Sequence, residues 1–208
     1  MKITSKKAVI RVPLICIILG VGVFGYLEIF TKGLDRLPAK VCDGAVDRET
    51  AADALPDTRK ALERGKMLTT GNGFMFACYV KVSSQDSIIS GESKTADASE
   101  ATWRDGAKGD GDGKEIKMSS GNVEIISWRD QTEVYILCVP PGKEKEKALQ
   151  SYSLITQART TGETRAKGDQ LRQTITDFAY QTARHAYKAG GCQERQEFPD
   201  ELPRLASE

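Results

Sequence analysis

The sequence predicts an α+β fold. The expected architecture is an antiparallel sheet of about 4–5 strands, packed by a long C-terminal helix and short N-terminal helices, with one N-terminal transmembrane helix in front. Three patterns in the chain carry that expectation. Residues 12–27 contain no charged side chain, and Lys2, Lys6, Lys7 and Arg11 precede them. Phe74 to Val82 alternates, with Phe74, Phe76, Cys78, Val80 and Val82 on one face of a strand and Met75, Ala77, Tyr79 and Lys81 on the other. From Asp169 to Lys188, Leu171, Ile175, Phe178, Ala179, Thr182, Ala183 and Ala186 recur at the helical period.

Taken in order, residues 1–7 form a basic tail, placed in the cytoplasm by the positive-inside bias. Residues 8–30 are long enough to span a hydrocarbon core of about 30 Å, with Pro13 in the first turns, where its missing N–H costs least. A cleaved signal peptide would need small residues at its end, and Leu27, Glu28, Ile29 and Phe30 do not supply them. The expectation is therefore a retained single-pass anchor at the cell membrane, with everything from Thr31 onward outside the cytoplasm. Residues 31–41, with Gly33 and Pro38, read as a linker, and residues 42–192 as one disulfide-stabilised extracytoplasmic domain.

Asp47 is placed to cap a helix running from Arg48 to Leu55; Pro56 ends it or starts the next, and Arg59 to Arg64 reads as a second short turn of helix. After the Phe74–Val82 strand, a weaker one surrounds Ile88 and Ile89. The polar, glycine-rich stretch 91–114 reads as a long loop or a mobile hairpin end, with Trp103 its one large apolar residue. Glu115–Trp128 and Thr132–Val139 form a hairpin about Arg129–Thr132, and Pro140-Pro141-Gly142 ends it. Lys143–Lys147 begins a short helix or leads directly into a strand over Leu149–Thr156; the pattern does not separate the two. Residues 157–167 read as loop. Gly190 and Gly191 terminate the last helix, and the acidic, proline-containing residues 193–208 read as a disordered tail.

Outside the anchor the chain has four cysteines: Cys42, Cys78, Cys138 and Cys192. An even number in an oxidising compartment predicts two disulfides, and no C-x-x-C suggests zinc or a redox dithiol. Packing the first helix over the sheet can bring Cys42 to Cys78, and folding the last helix back can bring Cys192 to Cys138. Cys16 reads as an apolar residue of the anchor.

Composition excludes several functions. The net charge is +1, and residues 1–30 hold four basic residues and one acidic, so the rest carries about −2. Such a domain has no electrostatic footprint for nucleic acid. His185 is the only histidine, which excludes any zinc site needing two imidazoles; it sits at the edge of the apolar stripe of its helix. Asp110 and Asp112 suggest calcium ligands, but a calcium loop counted from Asp110 would need oxygen donors where Lys114 and Gly121 stand. No serine lies in G-x-S-x-G, and Gly106 to Gly111 lacks the G-K-[ST] of a phosphate loop. Trp103, Trp128, Tyr135 and Tyr152 read as core and cross-strand residues before they read as a ligand cleft. The sequence thus nominates no catalytic, cofactor-binding or metal-ligating residue; its site residues are the four disulfide cysteines.

Cys42 followed by Ala51-Ala52-Asp53-Ala54-Leu55-Pro56, then Phe76-Ala77-Cys78, and the closing Gly190-Gly191-Cys192 resemble segments of small exported or membrane-anchored actinobacterial proteins, including lipoproteins grouped as DUF3558. The likeness covers residues 42–78 and 169–192. The chain departs from the lipoproteins at Cys16, which follows Pro13-Leu14-Ile15 where lipid attachment takes a small residue. The resemblance implies an envelope location and no activity. The expected role is a single-pass extracytoplasmic binding or accessory protein of the cell envelope, attached to the membrane through residues 8–30 and facing an envelope protein partner. A hydrolase using carboxylates that sequence does not locate, and a structural subunit of a membrane complex, are the alternatives.

Overall fold

The computed structural model describes residues 32–205, except 72, 84–85 and 108–112, together with Gly22, Gly25 and Tyr26. The predicted span 8–30 lies outside the described residues apart from those three, which are helical. No helix among the described residues is long and apolar enough to cross a membrane. The Asp110–Asp112 segment is also outside them.

The chain opens with a two-residue hairpin of β1 (Lys40–Val41) and β2 (Val46–Asp47), followed by α1 (Arg48–Ala54). Then come β3 (Ala61–Thr70), β4 (Gly73–Val82), β5 (Ile88–Asp97), α2 (Glu100–Gly106), β6 (Ile116–Ser120), β7 (Val123–Ser127), β8 (Gln131–Leu137), β9 (Tyr152–Thr161) and α3 (Gly168–Ala189). One fully antiparallel sheet holds seven strands in the order β3-β4-β5-β9-β8-β7-β6. The α+β class and the helix-covered antiparallel sheet are as expected; the strand count is higher.

The extra strands correct specific readings. Residues 61–64 of the expected helical turn over 59–64 lie in β3, where they alternate and pair continuously with β4. Cross-strand pairing here overrides the helix preference of Glu63, Arg64 and Lys66. The expected loop 91–114 begins as β5 and continues as α2, whose Ser99 side chain accepts from Thr102 N–H. Glu115–Trp128 is two strands, split at Gly121, whose φ of +61° suits the tight turn. The last strand runs on through 157–161, where a loop was expected. Lys145–Lys147 forms one 3₁₀ turn. Asp47 does stand at the N-cap of α1, but its carboxylate takes Lys40 instead of a helix N–H.

α3 buries one face against the sheet. Ile175, Phe178, Ala179 and Ala183 meet Phe76, Val80, Ile89 and Leu154, all close to fully buried. Small residues at 179, 183 and 186 let the helix lie close, and Gly191, with φ of +70°, ends it. Ser127, Thr132 and Thr176 form a buried trio of hydroxyls, each within 3.0 Å of the other two, that fixes the start of α3 to the β7–β8 corner.

Both disulfides form as expected, Cys42–Cys78 and Cys138–Cys192, with Cα separations of 5.2 and 5.0 Å. Gly65 explains the first. It faces Cys78 across the β3–β4 pair, and a Cβ there would collide with the Cys42 backbone. Only glycine leaves room for Cys42 to reach its partner. The second ties the end of α3 to the end of β8. Loops of 36 and 54 residues are each worth about 4 kcal/mol in the chain-entropy model.

Residues 193–205, expected as a disordered tail, lie along α3. Tyr187 donates to Glu194 O, Tyr180 to Pro199 O, and Phe198 packs on both tyrosine rings. Phe198 and Leu202 supply the apolar contact that the acidic composition concealed.

Candidate functional site

The side of the sheet opposite α3 is covered over part of its width. There α2 lays Trp103 and Ala107 on Ile126, Trp128 and Tyr135 of the β7–β8 end, with Ile155 at the margin. Trp103 stacks on Tyr135 at 5.3 Å, and Tyr135 donates its hydroxyl to Ala98 O. Three of the four aromatics weighed from sequence are thus the core of a small second cluster. Tyr152 instead lines a separate hollow with Lys143 and the exposed Leu149.

Glu133 is the charged residue of this covered zone. It is 7% exposed, and its two oxygens accept from Trp103 Nε1 at 2.9 Å and Gln157 Nε2 at 3.2 Å. A buried carboxylate is tolerable when its oxygens are so engaged. Beside it opens a shallow groove of about 300 Å³ between Glu92, Lys94, Glu133, Ile155 and Gln157. β8 places Glu133, β9 places Gln157 and β5 places Glu92, in one cross-strand row, because Glu92 pairs with Gln157 and Gln157 with Glu133.

The neighbouring row contains no carboxylate. Arg64, Tyr79, Ser90, Arg159 and Gln131 follow one another across β3, β4, β5, β9 and β8. With strands about 4.8 Å apart, the two arginines stand roughly 14 Å from each other. Arg64, Lys66, Lys94 and Arg159 are exposed, and none has an ion-pair or hydrogen-bond partner among the described residues. The uncovered half of the sheet is therefore basic, although the domain as a whole is not. This row can hold an acidic surface or chain by charge-assisted hydrogen bonds.

A second concavity, about 590 Å³, lies between α1, α3 and the C-terminal segment, with Asp47, Asp53, Asp177, Asp200 and Arg204 in its wall. Burial raises the Asp177 carboxyl above its ordinary value, against the opposing hydrogen bond from Gln173 and the charge of Arg204. It is the one carboxyl of this wall with a resolved shift, and the crevice offers no matched acid–base pair. Among the described residues no group of three or more His, Cys, Asp or Glu is placed to hold a metal. His185 is half-buried against the Phe76 ring at 4.8 Å; burial lowers its pKa, and Asp43 opposes that.

None of Arg64, Glu92, Lys94, Glu133, Gln157 and Arg159 stands out in the sequence as a site residue, and Arg64 enters there only as the end of an expected helical turn. The one available signal was Glu133, a carboxylate directly before the apolar run Val134–Leu137. No family model, curated protein or solved structure matches the chain.

Proposed function

We propose that this chain is a single-pass extracytoplasmic binding or accessory protein of the cell envelope. Residues 8–30 anchor it with the N-terminus in the cytoplasm, and the uncovered half of the sheet is its binding surface. The observation that carries the reading is the row Arg64–Tyr79–Ser90–Arg159, whose two exposed arginines have no ion-pair or side-chain hydrogen-bond partner among the described residues, on a disulfide-braced sheet. Two disulfides suit an oxidising compartment. A basic patch that the fold does not neutralise is suited to meeting an acidic partner surface. The resemblance to small envelope proteins of actinobacteria points the same way and supplies no activity.

The hydrolase alternative has one observation in its favour. Glu92 and Glu133 lie in one row with Gln157 between them. Against it, both oxygens of Glu133 already accept hydrogen bonds, and the groove beside it is shallow.

Two experiments test the reading. Protease added to intact spheroplasts should remove the domain and leave a short membrane fragment; a soluble product starting after residue 30 defeats the anchor. A photo-crosslinker at Gln157 should capture an envelope component in cells, and the same crosslinker at Lys188 on α3 should not. Equal capture from both positions defeats the assignment of the face.

A further inference from the structure

The basic half-face ends at β3, one of the two edge strands of the seven-stranded sheet, and no other strand pairs with its outer side among the described residues. This edge is long and regular. Ten consecutive residues of β3 pair with β4 without a bulge, and none is proline. Natural proteins usually shorten, bend or cover such an edge, because its outward N–H and C=O groups template another strand.

The register fixes which groups face out. Ser83 N–H donates to Lys60 O, so residues 60 and 83 are a hydrogen-bonded pair. In an antiparallel ladder bonded pairs alternate. The residues whose backbone groups point away from β4 are therefore Ala61, Glu63, Gly65, Met67 and Thr69. No backbone hydrogen bond outside the β3–β4 ladder reaches these five among the described residues.

The side chains beside this edge define a pattern. On the open face, Leu62, Arg64, Lys66 and Leu68 follow one another, and Leu62 is 61% exposed. Arg64 and Lys66 have no charged partner among the described residues. A second copy of the chain is a poor occupant. Antiparallel self-pairing centred on Gly65 sets Arg64 against Lys66, and centring on Lys66 sets Lys66 against itself. Like charges directly opposite are destabilising.

We propose that β3 accepts an extended acidic segment of a partner protein as an eighth strand. The segment has the pattern apolar-x-acidic-x-acidic-x-apolar, so that its acidic residues lie beside Arg64 and Lys66 and its apolar residues beside Leu62 and Leu68. Main-chain bonds to the outward groups give the affinity, and the alternate side chains give the selection. This rests on the reading of the chain as a binding protein and names the class of partner.

The test uses the full-length chain in nonionic detergent and a fluorescent peptide, Thr-Val-Thr-Glu-Thr-Glu-Thr-Val-Thr. Its pattern is palindromic, so either strand direction can dock. Anisotropy should show saturable binding at low salt that weakens as salt rises. The same peptide with Lys for Glu should bind at least tenfold more weakly. The double substitution Arg64→Glu and Lys66→Glu should reverse that preference. Thr69→Pro removes one outward N–H and leaves the β3–β4 ladder intact, since proline is tolerated at such edge positions; it should weaken the peptide at least fivefold at an unchanged melting temperature, while Thr69→Ala should not. If Thr69→Pro lowers the melting temperature, Met67→Pro, at the next outward N–H, replaces it. No saturable binding, equal binding of the two peptides, or indifference to both proline variants overturns the proposal. A concentration-dependent dimer lost in Thr69→Pro overturns it in favour of self-pairing. If the peptide fails while a crosslinker at Gln157 still captures a component that one at Lys188 does not, the edge proposal falls and the binding-face reading stands.

Discussion

Along β4, Phe76, Cys78 and Val80 point toward α3, while Ala77, Tyr79 and Lys81 point away. Along β9, Leu154, Thr156 and Ala158 are buried, while Gln157 and Arg159 are exposed. The same strands thus serve two different purposes. The α3 face is closed by aliphatic and aromatic packing, a trio of hydroxyls and two disulfides. Among the described residues the other face is closed where α2 sits, and beyond α2 it carries Arg64, Lys66, Lys94 and Arg159 without charged partners. A sheet needs one well-covered face to be stable. The second is then free to carry residues chosen for contact with something else. Substitutions on the two faces should separate cleanly into those that cost stability and those that cost binding.

The largest effect belongs to the α3 face. Phe178 is fully buried against the centre of the sheet. Phe178→Ala should destabilise the protein by about 3–5 kcal/mol, through lost transfer energy and the cavity left behind. Urea unfolding measures it. A loss below about 1 kcal/mol would mean that α3 is not the lid of the main core, and the comparison would collapse.

The border zone under α2 should show an intermediate cost. Trp103→Phe keeps most of the ring contact with Tyr135 but removes the indole donor from Glu133 Oε2. Leaving a buried acceptor short of its donor costs roughly 1–3 kcal/mol. Adding Glu133→Gln to Trp103→Phe should recover part of that loss, since a neutral amide is cheaper to bury than a carboxylate. Additive losses in the double variant would show that the Trp103–Glu133 bond contributes nothing.

These regions also differ in how readily sequence discloses them. β4 and α3 are legible because each holds a nearly pure period, two for the strand and near 3.6 for the helix. Their disulfides are legible too, since few cysteines and a helix end beside Cys192 restrict the pairing. β3 is not, because Glu63, Arg64 and Lys66 are good helix formers and only the β4 partner shows that they alternate. β5 is masked because Ser93 stands on its buried face while Glu92 and Lys94 occupy exposed positions, and α2 because Trp103 is the one large apolar residue of a polar stretch. The 193–205 segment is masked by charge, although two apolar residues suffice to seat it on α3. The candidate site is less legible still. Glu133 finds its donor Trp103 thirty residues earlier. The Arg64–Tyr79–Ser90–Arg159 row is drawn from four strands in an order that places β9 between β5 and β8. Local periodicity has no access to either.

A smaller effect tests the edge of the closed face through pH. Burial holds the His185 pKa below its ordinary 6.5. The unfolded chain therefore takes up the proton at a higher pH than the folded one. The stability contributed by neutral His185 is complete above about 6.5 and is lost as pH falls through the folded value. His185→Gln should flatten the acid side of the stability curve between neutral and mildly acidic pH while costing little at neutral pH. Thermal melts across that range decide it. A variant whose acid sensitivity matches the parent would place His185 in solvent and detach it from the packed edge.

The smallest stability effect is expected on the open face, and there the comparison is sharpest. Lys94 and Arg159 have no partner among the described residues and lie on exposed strand positions. Lys94→Ala and Arg159→Ala should each change stability by no more than about 0.5 kcal/mol, because neither breaks a contact nor opens a cavity. Alanine has lower strand preference than many residues, but that penalty is a fraction of the scale's full span of about 1 kcal/mol. Removing two cations from one face also lowers their mutual repulsion, which works in the stabilising direction. The same substitutions should reduce crosslinking from Gln157, their neighbour on the sheet, and leave the melting temperature where it was. Loss of stability without loss of capture would reverse the assignment of the two faces, since it would mean that the open-face charges serve the fold and not a partner.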